Sequence, residues 1–168
     1  MTPVLHRGWT PGLLGWIVAE HGVYYEREWQ LGRVFEAKVA EGLGELAARF
    51  DPARDQLLSA RDGDAVLGSI VVDGGGPHAA SRGARIRYFI LSDAARGRGV
   101  GRLLLREALD GIRAAGFTCA WLTTFAGLDA ARHLYEAHGF RLASEAVDTS
   151  WGTPLTEQTF AWSADGAP

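Results

Sequence analysis

The chain is nearly without lysine, cysteine and methionine. Of its 17 basic residues only Lys38 is a lysine, and Cys119 and Met1 are each the single residue of their type. One cysteine excludes an internal disulfide and fits a reducing, cytoplasmic compartment. No histidine or cysteine cluster has metal-ligand spacing. His133 and His138 stand five apart, a poor interval for sharing a metal on a helix, so no metal is expected. A G-x-S-x-G is missing, which argues against a serine hydrolase. No apolar run is long enough to cross a membrane. "PGLLGWIVA" (11–19) has the length of a signal core, but Glu20 and His21 close it where a cleavage site needs small residues. Repeats and low-complexity tracts are also lacking.

What remains is an ordinary globular composition, 47% hydrophobic and 22% charged over 168 residues, which suits one domain spanning 1–168. The preference for arginine over lysine looks like GC-rich bacterial codon usage and carries no function. The net charge of −3 argues against a nucleic-acid partner. Charge is nonetheless uneven. Residues 80–113 carry eight arginines against Asp93, Glu107 and Asp110, inside a chain that is acidic overall. A local basic zone of this kind suits a compact anion better than a long polyanion.

Patterning predicts a mixed α+β (α/β) fold of about six or seven strands and four helices. "VAEHGVYYEREW" (18–29) reads as helical, and Val34, Phe35, Val39, Leu43, Leu46 and Phe50 recur at helical spacing until Asp51-Pro52. Residues 56–60 and 65–72 read as strands joined by the turn "RDGD". Residues 73–83 read as a loop, and 84–91 as a strand. A helix follows over 101–115, with Leu103, Leu104, Ala108, Ile112 and Ala115 as its apolar stripe and Gly116 at its end. A strand at 119–125 precedes a helix at 130–138, with Asp129 as its N-cap and Gly139 as its stop. Strands at 140–146 and 157–162 complete the order, and 163–168 reads as a frayed tail. Cys119 reads as a small buried hydrophobe.

The stretch "RGRGVGRLLL" (96–105) lies between strand 84–91 and the next helix. A helix N-terminus offers unpaired N–H groups and the positive end of its dipole. Glycines let backbone approach an anion closely, and arginines add charge-assisted bonds. The combination points to a phosphate or diphosphate. It is not a P-loop, because Gly101 is followed by Arg102-Leu103 and not by Lys-Ser/Thr. It is a poor dinucleotide fingerprint, because Arg102 stands where the third glycine belongs.

Arg96-x-x-Gly99-x-Gly101 after a strand resembles the acetyl-CoA pyrophosphate loop of the GCN5-related N-acetyltransferase (GNAT) family. Downstream, "AARHLYEAHGF" (130–140) resembles that family's A-x-x-L-Y-x-x-x-G-F helix through Ala131, Leu134, Tyr135, Gly139 and Phe140. The likeness is good over 84–142 and loose over the first 60 residues. The wording of "RGWTPGLLGWIVAEHG" also looks like the acetyltransferase half of bacterial winged-helix regulator fusions.

The resemblance implies a single GNAT-like domain whose mostly antiparallel sheet is splayed at the cofactor site. It implies acetyl-CoA as co-substrate, an amine acceptor of small-molecule or protein origin, and direct attack on the thioester. Acetyl-CoA would be held by Arg96, Gly97, Arg98, Gly99, Val100, Gly101 and Arg102, together with Leu91 and Tyr135. The N–H of Leu91 would meet the developing oxyanion, with a strand bulge at that point. Tyr135 resembles the family's general acid. With a pKa of about 10 against about 8.5 for an alkyl thiol, it keeps its proton at rest and passes it to the departing thiolate. Two positions depart from the pattern. Leu128 stands where asparagine is common, and Asp93 where proline is common.

No motif fixes the amine's base. Glu26 and Glu28, directly or through water, and His21 are candidates, in an aromatic segment (1–50) expected to build the acceptor site. Arg87 and Tyr88 are candidates for an acceptor carboxylate. Trp9, Trp16 and Trp29 are candidates for a homodimer interface. A non-catalytic acyl-CoA sensor or partner module would share the same motifs.

Overall fold

The structure, a computed structural model, describes residues 2–166. Its elements are β1 (Val4–Arg7), α1 (Leu13–Trp29), α2 (Gly32–Ala48), β2 (Gln56–Asp62), β3 (Ala65–Asp73), a one-turn α3 (Ala79–Arg82), β4 (Ala84–Leu91), a 3-10 turn at Asp93–Ala95, α4 (Val100–Ala114), β5 (Cys119–Phe125), α5 (Asp129–Ala137), β6 (Arg141–Asp148) and β7 (Leu155–Ser163). The strands form one sheet in the order β1-β2-β3-β4-β5-β7-β6. Every neighbouring pair is antiparallel except β4 and β5. A parallel pair needs a crossover, and α4 supplies it.

Side-chain alternation divides the core. On one face Leu58, Ile70, Val72, Ile86, Leu122 and Phe160 pack with Leu104, Leu105 and Ile112 of α4 and Tyr135 of α5. On the other face Leu57 and Val71 pack with Leu13 and Ile17 of α1 and Leu43 and Leu46 of α2. A third cluster joins Phe35 and Val39 to Phe125 of β5. α4 is held by its buried stripe, with Leu104, Leu105 and Ile112 each essentially inaccessible. Burying one such side chain contributes about 1.5–3 kcal/mol. The stripe is 100, 101, 104, 105, 108, 109 and 112, so Ala115, expected inside, is exposed.

Other expectations are corrected too. α1 begins five residues earlier than its pattern indicated, after Gly12 in a left-handed conformation (φ 85°). β1 and α3 were not anticipated. Leu128, not Asp129, is the N-cap of α5, and Asp129 lies in the first turn without a side-chain cap bond. Cys119 is exposed as the first residue of β5. In the C-terminal tail Ser163 closes β7 and the Ala164 N–H donates to Thr118 O at 2.8 Å. Ala167 and Pro168 lie outside the described residues. Among the described residues no helix is long and apolar enough to cross a membrane.

Candidate active site

β4 and β5 pair only at Ala84↔Ala120 and Arg85↔Trp121. Beyond that point the parallel strands part, opening a gap through the sheet. A bulge in β4 accompanies the parting. Val71 pairs with Arg87 and Ser69 with Ile90, so Tyr88 and Phe89 share one position opposite Ile70. Tyr88 has φ 49°, a left-handed conformation that non-glycine residues rarely adopt. The bulge therefore sits at Tyr88–Phe89, not at Leu91 as the resemblance implied. Bulge position depends on cross-strand register, which the sequence of one strand does not carry. The Ser92 N–H donates to Leu67 O at 2.9 Å. N–H groups alternate in direction along a strand, so that of Leu91 faces away from β3, toward the gap.

At the wide end of the gap lies the glycine-rich loop. Gly97 and Gly99 both have φ 71°, and a Cβ at either would meet nothing within 4 Å. Glycine is needed there for backbone direction. Gly99 is the N-cap of α4 and accepts the Leu103 N–H at 3.0 Å. The first N–H groups of α4 have no preceding turn to bond and lie at the positive end of its dipole. Gly101 answers a different demand. A Cβ there would lie 3.1 Å from Leu91 and 3.2 Å from Leu134, so glycine lets α4 approach β4 and α5 closely. Arg96 is largely exposed and pairs with Asp93 at 2.9 Å. Arg98 turns away toward the β2–β3 hairpin, where it holds Asp62 at 2.6 Å. Arg102 is exposed.

Two cavities meet in the gap. A groove of about 550 Å³ on the α4–α5 side is lined by Leu91, Arg96, Gly127, Leu128, Ala131 and Leu134 among others. A smaller cavity of about 160 Å³ opens on the α1–α2 side, between His21, Lys38, Arg85, Arg87, Trp151 and Glu157. Tyr25, Phe89, Thr124 and Tyr135 line both. Tyr135 is buried among Phe89, Phe140 and Phe160, and burial pushes its phenol well above the ordinary value. Burial raises Tyr25 likewise, with Tyr135 and Tyr24 adding to the effect.

The smaller cavity is electrostatically uneven. His21 Nδ1 lies 2.7 Å from Ile17 O. A carbonyl can only accept, so Nδ1 carries the proton and Nε2 keeps a lone pair. Burial, partly offset by that bond, pushes the His21 pKa down to about 4, and the ring is neutral near pH 7. Arg87 donates to Asp73 at 3.2 Å and to Tyr88 Oη at 2.7 Å. Glu157 is half-buried. Desolvation and then the nearby Asp148 raise its pKa, against the pull of Arg85.

Residues 16–140 match the family model described as the acetyltransferase (GNAT) family. The chain belongs to that family. The fold agrees with solved GNAT-type structures at low sequence identity. An acetyltransferase from Salmonella typhimurium, solved with its cofactor acetyl-CoA, superposes with TM-score 0.73 at 14% identity, covering 98% of this chain and 95% of that one. A ribosomal-protein-alanine N-acetyltransferase from Brucella melitensis gives 0.73 at 19%, covering 95% and 99%. An N-acetyltransferase from Staphylococcus aureus Mu50 gives 0.74 at 13%, covering 98% and 99%. No curated protein sequence matches the chain.

Within this GNAT fold, Leu91, Arg96 and Tyr135 line one groove and the glycine loop opens beside it. His21 lines the smaller cavity, as do Arg87 and Tyr88. Glu26 and Glu28, expected near the acceptor, line neither cavity. Both are exposed. Glu26 accepts the Gly32 N–H at 2.7 Å, which ties the α1–α2 turn, and Glu28 pairs with Arg27 at 2.6 Å. On α1, His21 and Tyr25 are four apart and share the inward face; Glu26 is rotated off it, and Glu28, seven residues after His21, is exposed near the end of α1 and pairs with Arg27. Sequence reasoning missed Glu157, Arg85 and Tyr25. The alternation of β7 was the available signal for Glu157, since Gln158 and Phe160 are buried on the opposite face. Among the described residues no group of three or more His, Cys, Asp or Glu is arranged to hold a metal.

Proposed function

We propose that the protein transfers an acetyl group from acetyl-CoA to the nitrogen of a small primary amine. The observation that carries the reading is the junction itself. An anion-binding helix start, a free strand edge and a buried phenol converge where a groove and a smaller cavity share four residues. Acetyl-CoA fits this donor set. The N–H groups from Gly99 to Arg102 suit a diphosphate, with Arg96 beside them. The free edge of β4, presented by the Leu91 N–H, suits an amide-bearing arm laid along it as a strand.

Bound there, acetyl-CoA supplies an acyl carbon that an amine can attack and a thiol that can leave. The Leu91 N–H donates to the acyl oxygen as negative charge gathers on it, a contribution of order 3 kcal/mol for one well-placed donor. The Tyr135 hydroxyl donates a hydrogen bond toward the sulfur. Full proton transfer from Tyr135 to a free thiolate is uphill, since tyrosine's ordinary pKa already exceeds the thiol's and burial widens the difference. Tyr135 therefore acts mainly as a hydrogen-bond donor. The proton that finally completes the thiol comes from the acylated nitrogen. The neutral His21 lines the cavity side of the junction and offers the incoming amine a hydrogen-bond acceptor; with a pKa near 4 it is too weak a base to take an ammonium proton, so the acceptor enters as the free amine. A cavity of about 160 Å³ favours a compact acceptor over a polypeptide segment.

The test is turnover. Purified protein, acetyl-CoA and a panel of small primary amines are assayed for thiol release, and the N-acetyl product is identified by mass spectrometry. Amine-dependent release matched by product supports the reading. Tight acetyl-CoA binding with no amine consumed would instead identify an acyl-CoA-binding module.

A further inference from the structure

We infer that the acceptor is a small amine bearing one carboxylate, an amino acid or close analogue, and that Arg85 anchors that carboxylate. The inference rests on the acetyltransferase reading for the identity of the cavity as the acceptor site. Its own support is the charge arrangement inside it.

Three cations and one acid line the cavity: Lys38, Arg85, Arg87 and Glu157. Arg87 pairs with Asp73, and Arg49 bridges Asp73 at 2.6 Å and Asp55 at 4.0 Å, so two carboxylates balance these two guanidinium groups. Lys38 Nζ lies over the Trp151 ring, 4.8 Å from its centroid. His21 is neutral. Asp148 acts on both Lys38 and Glu157, and Glu157 acts on Arg85 across the cavity.

The anchor is best assigned to Arg85. Among the described residues Arg85 makes no ion pair. Its Nη2 donates to Thr123 Oγ1 at 3.2 Å, and its Nε is buried with no partner. The guanidinium is clamped by stacking on Trp121 at 4.5 Å, with Arg82 on the same indole at 3.8 Å. A buried, unpaired guanidinium donor is costly to maintain. Burial accordingly disfavours its charged form, and the nearby Arg87 adds to that. A rigid guanidinium whose Nη1 has no partner among the described residues suits a carboxylate oxygen. Arg85 also sits at the base of the gap, beside the last β4–β5 pair, whereas Thr124 and Tyr135 stand at the junction with the groove. A short molecule held at Arg85 by its carboxylate would thus direct its amine toward the junction. A protein lysine side chain would bring no such anion.

The test compares each proteinogenic amino acid with its methyl ester and its decarboxylated amine. Two readouts are used, acetylation rate and direct binding followed by tryptophan fluorescence, since Trp121 reports on Arg85. The inference predicts that at least one amino acid exceeds both its ester and its decarboxylated amine by tenfold or more in kcat/KM. R85Q should raise KM for that amino acid roughly 10- to 100-fold. It should leave kcat/KM for the ester and the calorimetric affinity for acetyl-CoA unchanged. Should R85Q not fold, the wild-type comparison decides alone, and R85K keeps charge while losing the fork. Turnover of amines with no preference for the carboxylate, or an equal loss for acid and ester in R85Q, overturns the inference and leaves the acetyltransferase reading intact. Binding of an amino acid without turnover upholds the anchor and overturns that reading. Neither binding nor turnover of any of them overturns the inference, and acetyl-CoA titration with the wider amine panel then decides the acetyltransferase reading.

Discussion

Tyr25 and Tyr135 reach the same gap from opposite faces of the sheet, one from α1 and the other from α5, and both line the groove and the cavity that meet there. Tyr135 is buried and Tyr25 partly buried, and each phenol is held well above its ordinary pKa. The gap exists because β4 and β5 share only two paired positions before the bulge at Tyr88–Phe89 turns β4 aside. Helix packing on both faces thus delivers two neutral hydrogen-bond donors to one opening.

Replacing Tyr135 by Phe removes one hydroxyl and little else. We expect the acetylation rate to fall about 100-fold, in the range of a single positioned donor. Acetyl-CoA affinity by calorimetry should change less than threefold, and stability by less than about 1 kcal/mol. A parallel loss of affinity would instead mark Tyr135 as a binding or packing residue.

Gly99→Ala and Gly101→Ala should fail for different reasons. At Gly99 the space is open but φ is 71°, so alanine costs about 1–2 kcal/mol of backbone strain and reshapes the anion site. At Gly101 the conformation is ordinary, and alanine presses on Leu91 and Leu134. Denaturant melts should show both variants destabilised. Asparagine, which tolerates the left-handed region, should recover stability at 99 and not at 101.

The three loop arginines should not contribute equally. Arg98 is committed to Asp62 and Arg96 lines the groove. We expect R96Q to weaken acetyl-CoA binding severalfold and R98Q to leave it within twofold, both read by calorimetry. The reverse order would mean that Arg98 exchanges Asp62 for the ligand.

His21 predicts a pH dependence of stability. Its folded pKa of about 4 lies below the ordinary value near 6.5. Between those values the unfolded chain binds a proton that the folded chain refuses, so stability falls as pH drops through that window. The full difference is roughly 3 kcal/mol. His21→Gln keeps a donor for Ile17 O and loses the titration. Its melting temperature should therefore drop less than the wild type's between pH 7 and pH 4.5.

Much of this was legible from local pattern. The strands at 84–91 and 119–125 coincide with β4 and β5, because runs such as "ARIRYFIL" carry strong strand propensity between glycine-marked ends. The glycine loop was legible because helix starts and left-handed glycines have local rules. β1 was not, since "VLHR" is four residues of mixed polarity stabilised by pairing with β2. The bulge escaped because it is a property of two strands in register. Glu26 and Glu28 stood out because they lie near aromatics in the chain, and Glu157 did not stand out at all. Which carboxylate faces the cavity is decided by how α1, β4 and β7 pack together, and no stretch of sequence contains that relation.

The account's central claim is that the gap between β4 and β5 is an acetyl-CoA site. A calorimetric titration of the purified protein with acetyl-CoA, with NADH as control, tests it most directly. One-site saturable binding of acetyl-CoA, competed by CoA and not reproduced by NADH, is the predicted result. No heat with acetyl-CoA and no competition by CoA would contradict the claim, and would leave Gly97, Gly99 and Gly101 as a structural turn or the site of another phosphate.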